Sequence, residues 1–230
     1  MRRLGLIGGT SWHSTAEYYR NINQAINDHF GDNTNPPLLL YNLNQSLIHQ
    51  YQLADQWNKV ADLIIDAGHR LEAGGVESII LCANTPHKVY EIVTQKLKAP
   101  IIHIADATAA AIKANGLKKV CFLGTKFSME EVFITGRIAQ NSLEVLVPTS
   151  NAEIVELHRI IQKELTFGKI ITSSKQYVLD AIKGMSDQGA EGVVLGCTEF
   201  PLMINSNDIT LPIFNTTEIH SQAAVDFILS

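Results

Sequence analysis

Short runs of aliphatic and β-branched residues recur along this chain. Between them lie longer stretches in which apolar positions return every three or four residues. The first pattern predicts buried strands and the second amphipathic helices. In the first half, strands are expected over 4–7, 38–41, 78–81 and 100–103. Helices are expected over 14–29, opened by Ser14 or Thr15, over 55–73, where Val60, Leu63, Ile64, Ala67 and Leu71 keep a 3.6-residue period, and over 86–96. Pro36-Pro37 marks the loop before the second strand. The second half restarts the sequence of elements: strands over 120–123, 143–147, 192–195 and 211–214, and helices over 128–141, 151–165, 172–187 and 216–229. Strands alternating with helices require crossover connections, so the fold class is α/β with mostly parallel sheets.

The two halves also repeat. Gly8 and Cys82 are 74 positions apart, Gly124 and Cys197 are 73 apart. The runs before the two cysteines match: Gly75-Val-Glu77-Ser-Ile-Ile-Leu81 against Gly189-Ala-Glu191-Gly-Val-Val-Leu195, with the cysteines one residue out of register. Each is followed by a proline-led strand with an acid six residues after the proline, Pro100 to Asp106 and Pro212 to Glu218. The repeat predicts two similar α/β domains related by a pseudo-two-fold axis, with the active site in the cleft between them. Their expected extents are 1–105 with the C-terminal helix 216–230, and 106–215. In open parallel sheets ligands bind beyond the carboxyl ends of strands, where both cysteines fall.

At 230 residues, 46% hydrophobic and 18% charged, the chain has the makeup of an ordinary globular enzyme. A net charge of −5 with no basic cluster larger than Lys118-Lys119 argues against a nucleic-acid partner. No apolar run approaches the roughly 18 residues of a membrane span, and glycines interrupt the one after Arg2-Arg3, so no membrane partner and a cytoplasmic location are expected. Three widely spaced cysteines form neither a disulfide framework nor a zinc-type pair.

Cys121, inside Val-Cys-Phe-Leu, reads as a buried hydrophobe. Cys82 and Cys197 differ, because polar residues follow at once: Asn84 and Thr85, then Thr198 and Glu199. Exposed N–H groups of a following turn or helix would lower a thiol's pKa. A cysteine hydrolase with His87, His103 or His220 as base would leave one cysteine unused, and a redox pair would favour closer spacing. Two equivalent thiols suit proton removal and return at one carbon. Asn84, Thr85 and Thr198 are candidates to bind an amino acid's carboxylate and ammonium, or to cap helices. Gly8-Gly9-Thr10-Ser11 and its counterpart Gly124-Thr125 add Thr10 and Thr125 as candidate binding residues, with helix capping as the alternative. Neither loop is a dinucleotide or phosphate motif.

Taken together, Gly8-Gly9-Thr10-Ser11-Trp12-x-Ser14-Thr15, Cys82-x-Asn84-Thr85-x-His87 and Gly196-Cys197-Thr198-Glu199 resemble the aspartate/glutamate racemase superfamily over essentially the whole chain. The likeness is greatest to the aspartate racemase branch, including its broad-specificity amino-acid racemases. The resemblance implies a small amino-acid substrate, two facing α/β domains, no pyridoxal phosphate, no metal and a cysteine pair, Cys82 and Cys197, as the two bases. A homodimer fits the same pattern. Aspartate-specific members carry an arginine after the second strand and a lysine before a glycine in the second half. Here those segments read Asn44-Gln45-Ser46-Leu47-Ile48-His49 and Leu165-Thr166-Phe167-Gly168. Without the two cations, a neutral or polar side chain contacted by His49 or Gln52 is the expectation. His87 and Glu199 each orient a thiol or the ammonium, or cap a helix. A related cysteine-dependent isomerase or decarboxylase, or a non-catalytic amino-acid-binding protein, remains the alternative.

Overall fold

The computed structural model describes all residues, Met1–Ser230. The chain divides into two compact units, Met1–Ile104 with Thr217–Ser230, and Ala105–Thr216.

In the first unit the order is β1 (Leu4–Gly8), α1 (Trp12–Phe30), β2 (Leu38–Asn42), α2 (Gln45–Leu53), α3 (Trp57–Ala73), β3 (Ser78–Leu81), a 3₁₀ turn at Thr85–Val89, α4 (Tyr90–Thr94) and β4 (Ile101–Ile102). All strands run parallel in the order β2-β1-β3-β4. Successive side chains on a strand take opposite faces, and helices cover both. Ile79 and Leu81 pack with Ile48, Val60, Ile64 and Val93 from α2, α3 and α4. Ile80 and Cys82 pack with Leu4, Leu6, Tyr18, Ile22 and Ile26.

The second unit begins within α5 (Ile104–Ala114) and continues through β5 (Lys119–Gly124), α6 (Lys126–Glu130), α7 (Val132–Ala139), β6 (Glu144–Leu146), α8 (Asn151–Lys163), a 3₁₀ turn at Leu165–Phe167, α9 (Thr172–Ser186), β7 (Gly192–Gly196), another 3₁₀ turn at Phe200–Leu202 and β8 (Ile213–Asn215). Its parallel order is β6-β5-β7-β8, the same as in the first unit. α10 (Thr216–Leu229) then adds Ala224, Val225 and Ile228 to the first unit's Tyr18 layer.

The repeat seen in the sequence reappears as paired hydrogen bonds. Glu77 accepts from the Arg3 amide (2.9 Å), and Glu191 accepts from the Lys118 and Lys119 amides (2.7 and 3.0 Å). Pro100 and Pro212 each receive a backbone bond from the cysteine strand, Ile79 to Pro100 and Val193 to Pro212, both at 2.9 Å.

Four local expectations change. The helix expected over 128–141 begins at Lys126 and is interrupted at Glu131, whose extended backbone separates α6 from α7. The first long helix starts at Trp12 and is capped by Ser11, whose hydroxyl accepts from the Ser14 amide (3.4 Å), rather than by Ser14 or Thr15. The hydroxyls of Ser14 and Thr15 are turned to backbone carbonyls instead. The 86–96 helix is split into the 3₁₀ turn at Thr85–Val89 and α4. A further helix, α2, stands before the predicted 55–73 helix.

Candidate active site

In each sheet the chain leaves the first strand for the neighbour on one side and later returns to the other side. This creates a switch point between β1 and β3, and another between β5 and β7. A crevice opens beyond the carboxyl ends of strands at such a point. The loops there are Gly8–Ser11 with Cys82–Thr85 in the first unit, and Gly124–Thr125 with Cys197–Glu199 in the second.

The first-unit loop is built by close backbone approach. Gly9 has φ 83°, and a Cβ on it would lie 2.1 Å from the Leu43 carbonyl oxygen, so only glycine fits. The Gly9 amide donates to Thr15 Oγ1 (2.9 Å), and Ser14 Oγ donates to the Cys82 carbonyl (2.6 Å). Thr10 is half-buried beside them. Cys82 itself is 2% exposed and lies in the Tyr18 layer, where burial pushes its thiol well above the ordinary range. Asn84 is buried and Thr85 half-buried at the start of the 3₁₀ turn.

His87 is committed to the backbone. Its Nδ1 faces the carbonyls of Ala83 (3.0 Å) and Asn84 (3.2 Å), which only accept, so Nδ1 carries the proton. Nε2 then accepts from the Ile104 amide (3.3 Å). Burial, with His103 and His220 nearby, holds its pKa well below that of a free histidine. The ring is therefore a neutral brace for the Cys82–Asn84 loop.

In the second unit Thr125 Oγ1 caps α6, meeting the Ser128 amide (3.4 Å) and Ser128 Oγ (3.1 Å). The one-residue slip of the second cysteine has a steric cause. A Cβ at Gly196 would lie 2.1 Å from the Phe122 ring, so no side chain fits there and the thiol moves to 197. Cys197 Sγ donates to Glu199 Oε2 (2.8 Å), and Thr198 Oγ1 donates to the same oxygen (2.9 Å). Burial first, then the Glu199 charge and hydrogen bond, push the Cys197 thiol well up. Cys121 lies fully buried in β5 and is pushed up to about 12 by burial. No three His, Cys, Asp or Glu side chains gather where they could hold a metal ion, and no helix is long and apolar enough to cross a membrane.

A family profile described as Asp/Glu/Hydantoin racemase matches residues 7–224. A proposed Asp/Glu racemase from Yersinia pestis is 39% identical, with a TM-score of 0.95 over 100% of both chains. The chain belongs to the Asp/Glu/hydantoin racemase family. An aspartate racemase homologue from Pyrococcus horikoshii is 35% identical, with a TM-score of 0.88 over 100% of both chains. The broad specificity amino-acid racemase RacX of Bacillus subtilis is 22% identical over 99% of this chain and 98% of its own length.

In this racemase-family chain the segments singled out for side-chain recognition fall on α2 and on the turn after α8. His49 and Gln52 sit one turn apart on α2, whose start at Asn44 adjoins Leu43, the residue against which Gly9 packs. His49 is half-buried, and burial lowers its pKa, so it is neutral at pH 7. Gln52 is buried, and its Nε2 has no hydrogen-bond partner. Thr166 Oγ1 donates to the Ile161 carbonyl (2.8 Å), closing the end of α8. Nothing in the sequence marks Tyr18 or Ser14 as a neighbour of the Cys82 strand. Helical spacing marks Tyr18 only as core, and His220 meets it across 202 positions.

Proposed function

We propose that this protein interconverts L- and D-amino acids without a cofactor, with Cys82 and Cys197 as the two bases at one α-carbon. The observation that carries this reading is the placement of each cysteine directly after the switch-point strand of its own unit. One thiolate takes the α-proton, and the other cysteine, as thiol, returns a proton on the opposite face. Cys197 fits the proton-donor state, since Glu199 disfavours its ionisation. Cys82, buried among apolar side chains, must gain stabilisation on ionising, and a substrate ammonium supplies part of it. Backbone N–H groups of the glycine loop and of the turns after the cysteines, together with Thr10, Asn84, Thr85, Thr125 and Thr198, bind the carboxylate and stabilise its enolate-like transition state.

The substrate side chain is proposed to be neutral or polar. Neutral His49 and the inward-turned Thr166 supply no fixed cation, and the Gln52 amide offers a donor to an acceptor group.

A panel of L- and D-amino acids in deuterated water, followed by loss of the α-proton signal and by chiral analysis, tests reaction and specificity together. Cys82→Ala and Cys197→Ala should each lower racemisation by about 10²-fold or more. Intact racemisation in either variant overturns the two-base reading, and selective turnover of aspartate overturns the neutral side chain.

A further inference from the structure

The backbone of Cys82 is tied on both sides, and one tie comes from a side chain that the chemistry above does not use. The Cys82 amide donates to the Ile7 carbonyl of β1 (2.9 Å). The next amide, that of Ala83, donates back to the Leu81 carbonyl (2.8 Å), closing a three-residue γ-turn with Cys82 at its centre. Cys82 keeps a negative φ, so this is the inverse γ-turn common at strand ends. Across the trans peptide the Cys82 carbonyl points away from the Ala83 N–H, out of the turn. There it accepts from Ser14 Oγ on α1 at 2.6 Å, and both residues are buried.

The repeat shows that helix geometry does not require this bond. Ser14 follows its helix cap Ser11 by three residues, as Ser128 follows Thr125, and each cap accepts from the serine amide at 3.4 Å. Ser128 Oγ donates to its own cap residue, the Thr125 carbonyl (2.9 Å), whereas Ser14 Oγ leaves its helix for a cysteine 68 positions away. The Cys197 carbonyl accepts from backbone instead, the Phe200 amide (3.3 Å).

We propose that Ser14 is the positioning residue for Cys82, its hydroxyl holding the γ-turn that aims the thiol. Its part in turnover rests on the two-base reading. With the N–H and C=O of Cys82 both fixed, the Cα–Cβ bond has one direction and only χ1 remains to place Sγ. Proton transfer loses rate when the reacting groups slip by about 1 Å. Without the hydroxyl the buried carbonyl lacks its side-chain partner and the turn opens more readily. Cys197 has no such dependence, so the loss of Ser14 should show on one face of the α-carbon only.

Ser14→Ala removes the donor and suits a helix. Ser221→Ala is the matched control, since Ser221 is also buried in the first unit and donates to a backbone carbonyl, that of Thr217 (2.7 Å). Residue-resolved amide exchange in the whole chain requires no turnover. Ser14→Ala should speed exchange of the Ala83 N–H about tenfold and leave that of Phe200 unchanged, and Ser221→Ala should alter neither. An unchanged Ala83 overturns the proposal. In deuterated water an active parent should lose about tenfold in kcat in Ser14→Ala, with KM unchanged. Substrate of one hand only should then take up deuterium without inverting. Its α-hydrogen passes to the Cys197 thiolate, and that thiol, after exchange with solvent, returns deuterium to the same face. Equal losses for both hands without such exchange, an unchanged kcat, or a change in KM alone overturns Ser14 as a positioning residue. A parent that exchanges no α-proton overturns the racemase reading, and the amide comparison then decides by itself whether Ser14 holds the turn.

Discussion

Cys197 and Cys82 are both buried thiols, but their neighbours differ in charge. Cys197 donates to a carboxylate two residues on, so ionisation places two negative charges in contact. Cys82 meets only burial. Replacing Glu199 by glutamine keeps an acceptor oxygen and removes the charge. The thiolate fraction of Cys197 at pH 8 should then rise about tenfold, one unit of pKa, and alkylation of Cys197 should accelerate with it. Peptide mapping measures this directly, and an unaltered Cys197 rate would mean that the carboxylate does not govern the thiol. At this scale the sequence was legible where a cysteine follows a strand end. Small polar residues after an apolar run mark Cys82 and Cys197, whereas Cys121 inside its strand reads as core. It was not legible where roles depend on partners. The side chain of His87 could face substrate or backbone, and only the carbonyls of Ala83 and Asn84 and the Ile104 amide decide it.

Strand register governs the elements. β5 and β7 pair Leu123 with Leu195 and Gly124 with Gly196, while β1 and β3 pair Ile7 with Leu81. In the first unit the next position of the cysteine strand carries Cys82, and in the second the Phe122 ring fills the corresponding space. Gly196→Ala should therefore destabilise the second unit by about 1–3 kcal/mol through overpacking. Phe122→Leu in the same chain should recover part of that loss, although each change alone is destabilising. Denaturant midpoints for the two single variants and the double variant measure the coupling. Additive losses would show that Phe122 is not the obstacle. The central strands β1, β3, β5 and β7 were readable because burial on both faces makes each a nearly continuous apolar run. α2 was harder. Its nine residues bury little beyond Ile48 and Gln52 and mix Ser, Gln and His, so no long apolar stripe appears. The available signal was Asn44, whose side chain caps the helix by accepting from the Ser46 and Leu47 amides (3.0 and 3.4 Å).

Over the whole molecule the chain ends where it began, since α10 returns to the first unit and brings His220 with it. That return makes the stability of this unit sensitive to acid. The His220 pKa is lowered to about 4 by burial, from an ordinary 6.5, and His87 and His49 shift the same way. Between those values the unfolded chain binds a proton that the folded chain does not, so stability falls as pH drops through 6.5 and continues to fall towards 4. For His220 alone the loss over that range is about 3 kcal/mol. Carboxylates held low by partners, such as Glu77 and Glu72, lose their contribution only below about pH 4.5, which leaves the upper part of the window to the histidines. Both tryptophans, Trp12 and Trp57, belong to this unit, so their fluorescence in urea reports its unfolding. The midpoint should fall steadily from pH 7.5 to 5. His220→Gln, which keeps a donor and an acceptor on the side chain but cannot take up the proton, should start lower and fall less steeply. Equal slopes in the two proteins would remove His220 as the source of the acid sensitivity.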